Sequence, residues 1–398
     1  MKTASLYTNI MKSYKLFLIL LVITGCNGKE DGNNNPADKR VYYSHTEFSM
    51  GADLSYVNQI LDKGGVYKDS GKITNPYAIF KKYGANTIRF RLWHNPEWTR
   101  TVYTPPITNM YNDFADVKKG ILAAKSNGMT VSLDFHYSDS WADPSKQVPP
   151  AAWEGVSLAV LYDSIYNYTI KTLDKLEAAN AMPEFVQVGN EINPGFVLPQ
   201  GDRWNKKADF IFLLNGAINA VRDASVSSTI KPRIIVHIAQ PENVIPWFES
   251  MASAGLTDYD IAGVSYYYLW STVNIDNVSD RIAAIKSFTG KDVMVVETAY
   301  PWTLNNADSY NNIIAADKLT SAYPASQTGQ YDYMVKLTQE IIDGGGKGIH
   351  YWEPAWITSG MKDRWGTGSS WDCNTLFDFT GNVIEGMNYM TYPYTFKK

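Results

Sequence analysis

Two glutamates close short apolar segments of this chain. Glu191 ends the stretch Glu184–Glu191 (EFVQVGNE), and Glu297 ends the stretch Asp292–Glu297 (DVMVVE). Short apolar runs rich in valine are typical of buried strands. Two carboxyl groups held at the tips of such strands are the groups that hydrolysis of a glycosidic bond requires. Whether they can cooperate depends on the scaffold that the rest of the chain builds between them.

The two glutamates need different protonation states for this chemistry. One carboxyl must stay protonated to donate to the leaving oxygen, and the other must be ionised to attack the anomeric carbon. An arginine beside a carboxylate favours its charged form. Arg89 is placed to do this for Glu297, which favours Glu297 as the nucleophile and Glu191 as the acid/base. A retaining enzyme also needs the two carboxyl groups about 5–5.5 Å apart.

Short apolar segments alternate with longer amphipathic ones over residues 41–398. The predicted strands are Glu47–Asp53, Asn86–Trp93, Met129–His136, Glu184–Glu191, Arg233–Ala239, Ile261–Tyr267, Asp292–Glu297 and Gly348–Trp352. The predicted helices are Leu54–Leu61, Pro76–Tyr83, Phe114–Asn127, Ser157–Asn180, Lys206–Ala224, Ile245–Ala254, Val278–Phe288 and Tyr331–Ile342. Eight such units predict an α/β fold, a (β/α)8 TIM barrel, as one catalytic domain. A doubly wound open sheet is the alternative, but no Gly-rich phosphate loop follows the first strand.

Polar side chains gather at the predicted strand ends, where the active site of such a barrel lies. Charged residues are rarely buried without a partner or a function, although a single one, such as His237, could equally be a satisfied core residue. The candidate supporting residues are Arg89, Asn190, His237 and Tyr266. The candidate substrate-binding residues are Asp53, Arg91, Trp93, Asp134, His136, Trp141, Asp143, Tyr267, Trp302, Trp352 and Trp365.

Four of these candidates, two of them as alternatives, have specific predicted tasks. The amide of Asn190 can bond the sugar hydroxyl next to the reacting carbon, an interaction that strengthens in the transition state. Tyr266 or Tyr267 can orient the nucleophile by donating its phenol hydrogen. The indole of Trp352 can form the floor beneath the reacting sugar.

Composition points to a flat, uncharged ligand. Aromatic residues make up 14% of the chain, with 12 tryptophans and 27 tyrosines, and many tryptophans lie in predicted loops. Aromatic rings there suit the apolar faces of sugars, although rings that simply fill the packing are the alternative. The formal net charge of −4 gives no basic surface of the kind that nucleic acids require.

Residues 1–26 have the layout of a bacterial lipoprotein signal peptide. Met11–Lys15 is basic, Leu16–Ile23 is an apolar core too short to span a bilayer, and Thr24–Cys26 completes an Ile-Thr-Gly-Cys sequence. This ending resembles a lipobox, which implies cleavage before Cys26 and lipid attachment to it. An ordinary signal peptide with an incidental cysteine is the alternative. Lipidation of Cys26 leaves Cys373 without a disulfide partner.

Residues 27–40 are polar and rich in glycine and asparagine, which predicts a flexible tether. Such a tether would hold the folded domain off a membrane surface. We therefore expect an exported lipoprotein of the outer membrane or cell surface, attached to the membrane through its lipid anchor.

The strand-end pattern resembles that of clan A retaining glycoside hydrolases, and within the clan it is similar to glycoside hydrolase family 53, the arabinogalactan endo-β-1,4-galactanases. Asn190 with Glu191, then Glu297, Arg89 and Trp352 carry the resemblance to the clan. The matching family stretches are Gly51–Ser55, Ile88–Pro96, Asp134–Pro144, Gln187–Glu191, Val296–Pro301, Trp365–Gly368 and Leu376–Phe379. The stretch Asp134–Pro144 (DFHYSDSWADP) is the most specific of them, and together they span nearly the whole of residues 41–398.

The resemblance implies Glu191 as acid/base and Glu297 as nucleophile, in agreement with the strand-tip argument. It also implies double displacement on the β-1,4-galactan side chains of pectin and an endo mode of attack. We expect the enzyme to be a monomer. Two alternatives stay open. One is another clan A hydrolase, such as a mannanase or a xylanase. The other is a non-catalytic surface glycan-binding lipoprotein, against which the two glutamates argue.

A loop after the seventh predicted strand departs from part of the family. Some bacterial members carry there a Gly/Asp-rich calcium loop with a histidine. The corresponding residues Thr303–Asn312 include a single acid, Asp308, whereas calcium prefers six to eight oxygens, usually several of them from carboxylates. We expect no metal site and no required cofactor, with a structural calcium ion as the alternative.

Overall fold

Eight parallel strands close into a barrel in the computed structural model, which describes residues 40–256, 258–314, 319 and 321–396. The strands are β1 (Ser49–Asp53), β2 (Thr87–Leu92), β3 (Thr130–Phe135), β4 (Phe185–Val188), β5 (Arg233–Ala239), β6 (Ile261–Ser265), β7 (Asp292–Thr298) and β8 (Gly348–Tyr351). Each strand pairs with the next in the chain, and β8 closes the ring against β1. The predicted (β/α)8 barrel is confirmed.

Helices follow the strands and cover the barrel. They are α1 (Val57–Asp62), α2 (Pro76–Lys82), α3 (Trp98–Thr101), α4 (Phe114–Ser126), α5 (Leu158–Glu177), α6 (Lys207–Ala224), α7 (Pro241–Ala252), α8 (Val278–Thr289) and α9 (Gln327–Asp343). Local chemistry sets several of their ends. The side chains of Asn75, Ser157 and Ser326 cap α2, α5 and α9 by accepting from backbone N–H groups in the first turn.

Most elements begin or end within a few residues of the prediction, and two of the differences have a clear local reason. Helix α7 begins at Pro241, four residues before the predicted start, because proline suits the first helical position. Strand β4 stops at Val188 and not at Glu191. Gly189, at φ +89°, turns the chain there, so Glu191 lies on a bend at the barrel rim.

Buried apolar side chains of the strands and helices hold the barrel together. The strand residues are almost all buried, and the buried faces of the helices pack against them in one large hydrophobic core. A smaller group, formed by Phe185, Ile235, Ile261, Met294 and Val296, joins β4 to β7. The backbone of the rim is therefore well supported beneath both glutamates.

The described residues test few of the predictions for the N-terminus. The signal peptide with Cys26 and all but the last residue of the tether lie outside them. Cys373 is buried with a free thiol, which donates to the carbonyl of Ile314 at 3.3 Å. Within the described part of the chain, no helix has both the length and the apolar character needed to cross a membrane.

Candidate active site

Arg89 is the centre of a buried group of acids at the C-terminal end of the barrel. Its side chain is about 1% exposed. Nη1 donates to Asp53 Oδ2 at 2.8 Å, and Nη2 lies 2.7 Å from Asp134 Oδ2 and 2.8 Å from Glu297 Oε1. Burial disfavours the guanidinium charge, but the three carboxylates outweigh it and raise the pKa of Arg89. Arg89 therefore stays charged and lies against Glu297, as the sequence predicts.

Both carboxylate oxygens of Glu297 face hydrogen-bond donors. Oε1 lies against Arg89, and Oε2 accepts from the phenol of Tyr267 at 3.3 Å. Burial raises the pKa of Glu297, and the Arg89 charge opposes that rise. When the two glutamates share one proton, the negative charge belongs on the carboxyl that contacts the cation. That carboxyl is Glu297, so the geometry favours it as the ionised member of the pair.

Glu191 sits in a different environment, where no cation of the described residues forms an ion pair with its carboxyl. It follows β4 with φ +46°, in the left-handed region that non-glycine residues rarely adopt and that is often found at functional sites. Its Oε1 accepts from the hydroxyl of Ser265 at 2.5 Å. Burial raises the pKa of Glu191 to about 7, with the Ser265 hydrogen bond opposing the rise and the Asp143 charge adding to it. A carboxyl with this pKa can donate and accept a proton near neutral pH.

Asn190 and His237 lie between the two glutamates in one hydrogen-bond network. Asn190 Oδ1 accepts from Arg89 Nη2 at 2.9 Å, and its Nδ2 donates to the carbonyl of Ala142 at 2.8 Å. His237 contacts Asn190 Oδ1 at 3.0 Å and Ser265 Oγ at 2.8 Å. Burial and the Arg89 charge lower the pKa of His237, so its ring is neutral. Both residues therefore contact the groups that hold the glutamates, and the hydrogen bond from Asn190 to a sugar hydroxyl stays a prediction.

A cavity of about 900 Å³ contains both glutamates. Its size is in the range of ligand-binding clefts. Six predicted residues line it beside the glutamates: Asn190, Trp141, Asp143, Tyr267, Trp352 and Trp365. Several other residues of the lining were not predicted from the sequence, including Gln240, Asn243, Trp270, Tyr310, Trp356 and Trp371. Of these, Trp270 is exposed on the wall beside Tyr267, with the ring centroids 5.1 Å apart.

Five of the predicted substrate contacts are wrong, because the side chains are buried beneath the cavity and do not line it. They are Asp53, Arg91, Trp93, Asp134 and His136, each at most 3% exposed. Asp53 and Asp134 form ion pairs with Arg89. The Trp93 indole donates to His136 Nδ1 at 3.2 Å. Trp302 also lies outside the lining, where it donates to the Asp372 carbonyl and contacts the ring of Phe379.

Of the two adjacent tyrosines that follow β6, the second contacts the nucleophile candidate Glu297. Tyr266 donates its phenol hydrogen to the carbonyl of Val273 at 2.9 Å, away from the cavity. Tyr267 reaches Glu297. Tyr266 as a supporting residue is therefore wrong. Successive side chains at a strand end point in opposite directions, so only one of the pair can face the nucleophile.

Arg91 supports the aromatic wall of the cavity from behind. Its guanidinium lies 4.0 Å from the ring centroid of Tyr56 and 4.1 Å from that of Trp141. Nη1 pairs with Glu353 Oε1 at 2.6 Å. Burial raises the pKa of Glu353 to about 8, and the Arg91 charge opposes the rise. The Arg91 cation, in contact with both rings, fixes the orientation of Trp141. The Trp141 ring in turn contacts that of Trp352 in the wall of the cavity.

The single acid of the loop at Thr303–Asn312 accepts several hydrogen bonds from the protein. Asp308 Oδ1 accepts from the N–H of Tyr310, and Oδ2 accepts from the hydroxyl of Thr358 and the N–H of Ser369. Its oxygens thus face hydrogen-bond donors already. Among the residues that the structure describes, no cluster of three or more acidic, histidine or cysteine side chains is arranged to hold a metal ion.

Comparisons with known proteins find related sequences and structures over most of the chain. The profile of glycosyl hydrolase family 53 matches residues 49–390. The chain is 41% identical over 343 residues to the arabinogalactan endo-β-1,4-galactanase of Cellvibrio japonicus, covering 84% of this chain and 88% of that one. It is 30% identical to the endo-β-1,4-galactanase of Bacillus subtilis, covering 89% of this chain and 88% of the relative. The family 53 catalytic domain of Ignisphaera aggregans superposes with a TM-score of 0.80 at 31% identity, over 89% of this chain and all of that one.

Proposed function

The chain belongs to glycosyl hydrolase family 53, and from this premise we propose that it is a retaining endo-β-1,4-galactanase. One observation carries the proposal. Two glutamates share one cavity, one against a fixed arginine and the other against a neutral hydroxyl. This asymmetry separates an ionised nucleophile from a protonated acid, which is the division that double displacement requires.

The first step breaks the glycosidic bond. The Glu297 carboxylate attacks the anomeric carbon, and Glu191 gives its proton to the oxygen of the departing sugar. The bond from the anomeric carbon to that oxygen breaks as a bond to Glu297 forms. Arg89 and Tyr267 keep Glu297 ionised and correctly oriented until the attack. The leaving sugar departs with the proton, and Glu191 is left as a carboxylate.

The second step reverses these roles. Glu191, now ionised, takes a proton from water as that water attacks the anomeric carbon. The bond to Glu297 breaks, and its carboxylate returns to the Arg89 contact. Two inversions at one carbon give a product with the anomeric configuration of the substrate. The pKa of about 7 at Glu191 suits a group that must both give and take a proton.

The substrate assignment to β-1,4-galactan, including the galactan side chains of pectin, rests on the relatives. Two of the relatives that the chain matches bear the names of galactanases, which favours this substrate over mannan or xylan. The tryptophans of the wall, Trp141, Trp270, Trp352 and Trp371, supply flat apolar surfaces for pyranose rings. A non-catalytic binding protein would need neither the Arg89 contact at Glu297 nor the raised pKa at Glu191.

Incubation with galactan, mannan and xylan tests the substrate and the mode of attack. We expect new reducing ends from galactan alone, and a fall in mean chain length before small sugars accumulate. Proton NMR at early times should show the β-anomer first. All reactions are run with EDTA in excess, because we also propose that no metal or cofactor is required.

Cleavage of mannan or xylan at a comparable rate would overturn the galactan assignment, and the α-anomer as first product would overturn retention. Binding of galactan without any cleavage would favour the non-catalytic binding protein. Recovery of activity only on addition of calcium would contradict the cofactor proposal.

We propose in addition that the enzyme is an exported, monomeric lipoprotein anchored through Cys26. The lipobox-like ending and the polar residues that follow it support this proposal. In cells, the full-length protein should fractionate with membranes, whereas Cys26→Ser should be released or retained as uncleaved precursor. The variant Cys373→Ser, at the buried thiol, is the matched control and should fractionate as the unaltered protein does. A Cys26→Ser variant that is cleaved and still fractionates with membranes would exclude the anchor.

A further inference from the structure

Ser265 links the acid/base candidate to the neutral histidine. It is the last residue of β6 and is fully buried. Its Oγ lies 2.5 Å from Glu191 Oε1 and 2.8 Å from His237 Nε2. In the parallel register it pairs with Glu297 on β7. The hydroxyl is thus held between the two strands that carry the nucleophile and the histidine, and its contact with Glu191 is among the shortest in the site.

The hydrogen bonds around His237 give this contact a direction. The backbone N–H of Glu191 points at His237 Nδ1 at 3.4 Å, and Gln187 Nε2 lies 3.0 Å from the same nitrogen. A backbone N–H can only donate, so Nδ1 must accept. The hydrogen of the neutral ring is then on Nε2 and is donated to Ser265 Oγ. The single hydroxyl hydrogen of Ser265 is left to donate to Glu191.

The other oxygen near His237 Nδ1 does not reverse this direction. Asn190 Oδ1 lies 3.0 Å from that nitrogen, but it already accepts from Arg89 and from Gln187. With the hydrogen on Nδ1, Nε2 would accept the Ser265 hydrogen, and Oε1 of Glu191 would lose its donor while lying 2.5 Å from Ser265 Oγ. That arrangement would also turn two donors toward the N–H of the ring.

We propose, on the basis of the galactanase function above, that Ser265 is a positioning residue for the acid/base step. Its hydroxyl, oriented by His237, donates to Oε1 of Glu191 and so keeps the transferable proton off that oxygen. The proton that goes to the leaving group is therefore carried on Oε2. Without Ser265 the carboxyl can rotate, and the proton is shared between two oxygens of which only one is directed at the bond to be broken.

The same contact affects the protonation of Glu191. Donation from Ser265 stabilises the carboxylate and so lowers its pKa, against the effect of burial. The other charges that act on Glu191 are Asp143, Asp134 and Glu297, which favour the proton, and Arg89, which opposes it. Tyr267 and His237 face the pair in neutral form. Ser265→Ala removes one stabilising hydrogen bond to the charged form and should therefore raise the pKa of Glu191 by about one unit.

The experiment compares three variants on two substrates. Ser265→Ala should lower kcat on galactan roughly tenfold or more, because general acid catalysis contributes about 10²–10⁴-fold and depends on geometry. It should affect an aryl galacto-oligosaccharide with a good leaving group much less. The alkaline limb of kcat/KM should move upward by about one pH unit. Ser265→Thr, which keeps the hydroxyl, should restore the position of that limb.

Ser132→Ala is the matched control. Ser132 is also a fully buried serine on a barrel strand, but its hydroxyl has no hydrogen-bond partner within the described residues. This variant should leave both the rate and the pH profile unchanged. If the role of Ser265 is merely structural, Ser265→Ala should lower kcat equally on both substrates and leave the alkaline limb in place. That result would overturn the inference.

A carboxyl ¹³C NMR titration separates this inference from the proposed function, because it needs no substrate. The signal of Glu191, assigned by its loss in Glu191→Gln, should titrate about one unit higher in Ser265→Ala than in the unaltered protein. An unchanged titration would overturn the inference even if galactan is cleaved. Absence of galactan cleavage together with the shifted titration would instead contradict the galactanase function, leaving the Ser265 contact established.

Discussion

Glu297→Ala is expected to lower kcat on galactan by on the order of 10⁴-fold or more, the scale seen when a covalent nucleophile is removed. The variant keeps Arg89, Asp53 and Asp134, but no atom remains to attack the anomeric carbon. Oligosaccharide affinity, measured by calorimetry, should change only a few-fold, because the tryptophan walls are untouched. Loss of turnover with retained binding would identify a group used in the reaction and not in substrate capture.

The comparison needs a control for the change of residue type. Glu249→Ala, on the exposed face of α7, makes the same substitution away from the cavity and should keep full activity. Azide offers a further test, because a small anion can occupy the space left in Glu297→Ala and attack in place of the carboxylate. The glycosyl azide should then have the α configuration, since only one inversion occurs. More than a few per cent of residual activity without azide would refute the nucleophile assignment.

Glu191→Ala is expected to separate substrates by the quality of their leaving groups. Galactan has a poor leaving group and needs the proton, so kcat/KM should fall by about 10²–10⁴-fold. An aryl galacto-oligosaccharide with an activated leaving group departs without protonation and should lose far less in its first step. Its second step lacks the base, so the glycosyl-enzyme should accumulate and give a burst of the aryl product.

The pH dependence gives a second measure of the same residue. Burial raises the pKa of Glu191 to about 7, so the protonated acid is abundant below this pH and is lost as the pH rises through it. The unaltered enzyme should therefore show kcat/KM falling above about pH 7. In Glu191→Ala this limb should disappear. Equal losses on both substrates, or a pH profile that keeps its alkaline limb, would rule out Glu191 as the acid.

The alternation of apolar strands with amphipathic helices was enough to predict the barrel, because each strand must be buried on both faces and each helix on one. The same reasoning located both glutamates, since a charged residue that ends a buried strand lies at the rim. Arg89 could be assigned to Glu297 for a related reason: a buried carboxylate at a strand tip needs a cation, and few were available. These conclusions depend only on the order of residues along each segment.

Closure of the barrel decided the rest, because contacts between distant strands depend on register and on the path of the chain beyond each strand end. Tyr266 and Tyr267 are adjacent residues of the same type, so the sequence could not tell which of them contacts the nucleophile. The path of the chain after β6 directs Tyr267 to Glu297 and Tyr266 to the carbonyl of Val273. Asp53 and Asp134 were predicted at the surface of the cavity, yet the Arg89 charge holds them beneath it. Ser265 is a common residue that no pattern marks. Its position against Glu191 exists only once β4, β5 and β6 lie side by side.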